Sequence, residues 1–139
     1  MGVKTLTVIV AAVALLVMSR PVVAHHGSAG YDNTKMTIVK ATITAWLFRN
    51  PHSELRFDVM DETGEVKHWA IEAPPTVMLV ERGWTNRSLK AGDVVTLHFN
   101  AARNGALNGI LRKVVLPNGD DLWAYPPPEL IEKLTTSPR

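Results

Sequence analysis

The chain has 139 residues, with 15 Lys and Arg against 13 Asp and Glu, and it contains no cysteine. Disulfides and thiolate metal sites are therefore excluded. The net charge of +2 provides no basic stripe of the kind that binds nucleic acid.

The first residues have the order of a secretory signal. Lys4 and the amino terminus supply positive charge, Leu6 to Met18 is apolar apart from Thr7, and Val22-Val23-Ala24 follows the helix-breaking Arg20-Pro21. This order predicts a signal peptide over residues 1–24, cut after Ala24. The apolar run is shorter than the roughly 20 residues needed to span a bilayer, so no membrane span is expected after cleavage. The expected destination is the periplasm or the exterior. Loss of Lys4 and Arg20 leaves 13 basic against 13 acidic residues, so the apparent basicity belongs to the leader. The remaining 115 residues suffice for one domain with its own core.

Residues 25–36 read as an N-terminal segment and residues 37–125 as the folded domain. Val39, Ala41, Ile43, Ala45 and Leu47 alternate in a first strand, with Trp46 on its opposite face. Leu55, Phe57 and Val59 alternate in a second strand after a turn at Asn50-Pro51. Thr63-Gly64 forms a hairpin into a third strand, Val66 to Glu72, with Trp69 and Ile71 on one side. Pro74-Pro75 then opens a helix over Thr76 to Arg82, ended by Gly83. Val95, Leu97 and Phe99 mark a fourth strand, Ile110 to Leu116 a fifth, and Leu122 to Tyr125 a short sixth. Pro126-Pro127-Pro128 begins a proline-rich tail over residues 126–139, with an amphipathic stretch from Glu129 to Leu134. The order β-β-β-α-β-β predicts a mainly β fold, a small OB-like β-barrel, with a β-sandwich as the alternative.

Of the five histidines, cleavage after Ala24 singles out His25. Its α-amine and ring Nδ1 would chelate one metal ion, and a third nitrogen would complete a histidine brace suited to copper. His26 offers its ring and backbone amide. His52, on the Asn50-Pro51-His52-Ser53 turn, is the third candidate ligand, because loops carry function more often than strands do. His25 and His52 can meet only if residues 25–36 double back along the first strand. Gly27, Gly30 and Tyr31-Asp32-Asn33-Thr34 permit that return. The plainer reading is a solvated terminus and a turn histidine. His68 and His98 read as surface or groove residues.

Four tryptophans are mostly filling for a small barrel, with Trp46 the candidate lining of a ligand groove. Glu72 and Glu81 have no carboxylate partner at an informative spacing, so glycosidase chemistry has no support. Ser28 and Ser53 lack the strand-turn-helix setting of a nucleophile.

Ala24-His25-His26-Gly27, Tyr31-Asp32, Asn50-Pro51-His52, Trp69-Ala70-Ile71-Glu72, Arg82-Gly83-Trp84 and Leu89-Lys90-Ala91-Gly92-Asp93 resemble small exported bacterial proteins grouped as domain of unknown function 6152. The resemblance implies that the His-His start and the Asn-Pro-His turn are group features, and it implies no activity. The longer proline-rich ending after Trp123 departs from the group. Three readings follow. The first is a periplasmic or secreted copper-binding module using His25, His26 and His52, handling metal or serving an exported protein partner. The second is a non-metal module whose groove at Trp46 takes a small molecule, glycan or protein. The third, ranked last for want of a substrate cleft, is a copper-dependent oxidase.

Overall fold

The computed structural model describes residues 28–127 together with Gly2, Glu129 and Leu130. Strands β1 (Thr37–Leu47), β2 (Ser53–Met60) and β3 (Val66–Ala73) precede helix α1 (Thr76–Glu81), and β4 (Val94–Ala101), β5 (Asn108–Val115) and β6 (Asp121–Trp123) follow it. The sheet order is β3-β2-β1-β4-β5-β6, and a parallel β3–β5 pairing closes the first five strands into a barrel. This is the predicted OB-like topology. Closure removes the open edges that a flat sheet would expose to aggregation.

Alternation decides what fills the barrel. Ala41, Ile43, Leu55, Phe57, Ile71, Ala73, Val95, Leu97, Phe99, Leu111 and Val114 are buried, each from one face of its strand. Phe57 stacks on Trp69 with 6.1 Å between ring centroids, and Phe99 meets both edge-on at 5.6 and 5.1 Å. Such offset and T-shaped contacts suit the ring quadrupoles.

Two strands depart from simple alternation: β5, whose pairing with β4 shifts between His98 and Phe99, and β1. Between Ile43 and Ala45 the β1–β2 register shifts, so Trp46 faces Leu55 and Ile43 faces Phe57. Directly opposed residues share a face. The extra residue of this bulge therefore turns Trp46 onto the core side, against the expectation that it lies opposite the apolar face. The Trp46 ring packs 5.2 Å from Trp84 and 5.9 Å from Phe48, and its indole N–H donates to the Thr85 carbonyl at 3.0 Å.

Helix α1 has no side-chain cap from Pro75. Its first amide instead donates to Asn50 Oδ1 at 3.1 Å, and the Thr76 hydroxyl donates to the same oxygen at 3.0 Å. The β1–β2 turn thus fills the role of a cap from elsewhere in the chain. At the other end, Trp84 N–H reaches Leu79 O and Gly83 N–H reaches Val80 O, a Schellman closure that needs the positive φ of Gly83, +83°. That closure swings Trp84 into the core, where it is 1% exposed and donates its indole N–H to Trp123 O at 2.9 Å.

Candidate functional site

The β1–β2 connection is held from three sides. Asn50 is tied to α1 as described, Ser53 N–H donates to Pro74 O at 3.3 Å, and buried Ser53 donates its hydroxyl to Arg49 O at 3.3 Å. The Asn50–Pro51 peptide is cis. Ser53 is thereby a structural residue, in keeping with its lack of a nucleophile's setting. His52 stands on this fixed turn, half-buried.

Residues 49–54 and Glu72 line a depression of about 350 Å³ beside the turn. Glu72 arrives there through strand register. The β2–β3 hairpin turns about residue 63, and Glu54 lies opposite Glu72. This corrects the expectation that Glu72 has no carboxylate partner, because the hairpin joins two residues that are distant in sequence. Glu54 is neutralised by Arg49, at 3.0 Å, and by Arg56. The Glu72 carboxylate has no ion pair among the described residues.

The segment leading into β1 also reaches this region. Tyr31 bridges Ala102, Asp32 N–H donates to Ala101 O at 2.9 Å, and Arg103 N–H donates to Gly30 O at 3.0 Å. Arg103 Nε adds a bond to Tyr31 O at 2.9 Å. Asp32 Oδ1 then accepts from the Thr34 amide and hydroxyl, which bends the chain toward β1 and holds the Asp32 carboxyl below its usual value. Ala102 N–H bonds Asn108 O, and Asn108 pairs with Ala70, two residues before Glu72. The Tyr31 phenol is raised above its ordinary value, first by burial and then by the charge of Glu72. Glu72 thus lines the depression with His52, and its charge acts on Tyr31.

Several sequence candidates lie elsewhere. His68 pairs with Asp58 on the exposed hairpin face at 2.6 Å. His98 is held below its ordinary value by burial and by the charge of Lys113. Trp46 is a packing residue with its N–H engaged. Ala24, His25 and His26 lie outside the described residues, as do the rest of the expected signal segment apart from Gly2 and most of the tail. Among the described residues no three His, Asp or Glu side chains converge as a metal site, and no helix is long and apolar enough to cross a membrane. The turn bearing His52 joins the first two strands, and OB folds commonly use that loop and the adjacent β2–β3 face to hold ligands. That parallel is one of fold alone.

A family model described as a family of unknown function (DUF6152) matches residues 12–112. The chain belongs to this family. The matched region of DUF6152 takes in the His-His pair, the Asn-Pro-His turn and Glu72, and it ends at Arg112 within β5, before β6 and the proline-rich ending. No curated protein and no solved structure matches the chain.

Proposed function

We propose that this protein is an exported copper-binding module, periplasmic or secreted, whose ligands are the His25 amine and ring, His26 and His52. The observation that supports this reading is the anchoring of Tyr31 on Ala102, where the charge of Glu72, a carboxylate lining the His52 depression, acts on its phenol. His25 precedes Tyr31 by six residues; Ser28–Gly30 is a 3-10 helix rising about 2 Å per residue, so the stretch reaches at most about 16 Å. The reading requires that this stretch bring the terminus to His52. The described residues supply too few donors alone, and the segment next to them begins with the two histidines.

The chemistry belongs to the new terminus. An α-amine and an imidazole Nδ1 close a chelate ring on one metal, and a second imidazole completes a nitrogen set that copper prefers. Each donor must shed its proton. Affinity should therefore rise with pH through about 6.5 for an imidazole and about 7.7 for an α-amine. The role is metal handling or service to an exported protein partner, and no catalytic step is assigned.

The test is titration of copper sulfate into protein whose mass confirms His25 as the first residue. Processed protein should bind one copper tightly, whereas a form retaining Met before His25, or His52→Ala, should bind far more weakly. Equal binding by the Met-extended form would falsify the terminal-amine reading.

A further inference from the structure

Where β4 and β5 pair, Phe99 lies opposite Leu111 but His98 lies opposite Lys113. Arg112 is the extra residue of that bulge, and a bulge re-aims the side chain it carries. The Arg112 carbonyl accepts the amides of Ala124 and Tyr125 at 2.8 and 3.1 Å, which seats Tyr125 against the strand. Arg112 Nε donates to Asn100 Oδ1, and its Nη2 donates to Asn33 Oδ1 at 3.3 Å. Asn100 is buried and gives its own amide hydrogens to Asp32 O and Lys35 O at 2.9 and 3.1 Å. The guanidinium is therefore held by neutral groups.

A second arginine reaches the same ring. Arg82 caps the end of α1 and donates Nη1 to Ala124 O. Its guanidinium carbon lies 5.7 Å from the Tyr125 ring centroid, and that of Arg112 lies 5.3 Å from it. The two charges thus stand within about 11 Å of each other, close to one Debye length at 0.1 M salt. Both arginines are half-buried, and neither has an ion pair among the described residues. Among those residues no buried side-chain nitrogen lacks a hydrogen-bond partner. Arg82 Nε and Nη2 and Arg112 Nη1, which the bonds above leave over, are therefore open to solvent.

We propose that Arg82 and Arg112 form a binding site for an oxyanion, the carboxylate or phosphate group of a small ligand. A guanidinium fork matches the paired oxygens of either group. Forks already held in place lose little freedom on binding, and the anion supplies the charge that two half-buried cations lack. None of the copper ligands above takes part.

Inorganic phosphate and succinate are the probes, each titrated at constant ionic strength into nitrogen-15-labelled processed protein. The Nε–H resonances of Arg82 and Arg112 should move along one saturable curve, a readout that needs no substitution. Arg82→Lys and Arg112→Lys keep the charge and lose the fork, and each should weaken binding about tenfold, the scale of hydrogen bonds to a charged group. Thermal unfolding without anion checks that the barrel is retained. Lys40→Gln removes one exposed positive charge from β1 and should leave the affinity unchanged. Tighter binding of phosphate assigns the ligand a phosphate group and tighter binding of succinate a carboxylate, and either supports the site. Shifts that never saturate with either probe, or equal affinities in Arg82→Lys, Arg112→Lys and wild type, overturn it and leave the arginines as covers for the Tyr125 ring.

Discussion

Gly109 stands where the barrel closes, and its replacement by alanine tests how tightly β5 packs on β4 there. It pairs with Ile71 of β3 and with Ala101 of β4, so two strands pass it at once. A Cβ there would lie 2.5 Å from the Asn100 carbonyl oxygen and 2.9 Å from Phe99 Cδ2. The first atom is backbone in a paired strand and the second belongs to a ring at 0% exposure, so neither neighbour gives way cheaply. Overpacking of this kind costs about 1–3 kcal/mol, and the backbone contact argues for the upper end. Alanine also restricts the unfolded chain, which returns about 0.4–1 kcal/mol. The net expectation is a loss of about 2 kcal/mol, or roughly 8–16 °C in Tm for a domain near 100 residues. Thermal and urea unfolding of Gly109→Ala measure it. Gly30→Ala is the control, since a Cβ there meets nothing within 4 Å, and its Tm should move little. A Gly109→Ala shift within about 2 °C of wild type would show that β5 is not packed against β4 as described.

Asn50→Ala removes the acceptor of both Thr76 bonds and should cost about 1–2 kcal/mol, the range for loss of a helix cap. Urea unfolding checks the cost, and faster hydrogen exchange at Thr76 should accompany it. Tyr31 offers a pH test. Its raised value keeps the proton on in the folded chain, so its effect on stability is absent below about pH 10 and stability falls as pH climbs toward the folded value. In a Tyr125→Phe background, ultraviolet titration of Glu72→Gln should show Tyr31 ionising at lower pH than in Tyr125→Phe alone, yet still above the ordinary value because burial remains. An unchanged titration would remove Glu72 from the neighbourhood of Tyr31.

Much of this protein is legible in the order of its residues. Period-two alternation marks the strands, because a strand half-buried in a barrel presents one face to the core. Pro75 and Gly83 bracket α1, because only certain backbone angles start and stop a helix. The hairpin turn at residue 63 even fixes Glu54 opposite Glu72, since every β2–β3 pair is equidistant from it. That correspondence required counting outward from the turn, whereas the isolated spacing of the two glutamates said nothing.

The remainder depended on contacts between distant segments. A bulge in β1 reversed the facing of Trp46, and period counting cannot register one extra residue whose cause is a partner strand. The anchoring of Tyr31 on Ala102 uses backbone groups, which carry no residue-specific signal. The sequence by itself determined the strand pattern, the absence of thiol chemistry and the choice of His52 as the turn residue of interest. Only the tertiary structure brought Glu72 to His52 and its charge to bear on Tyr31. Closing a sheet on itself converts residues far apart in the chain into neighbours, and that closure is a property of all five strands together.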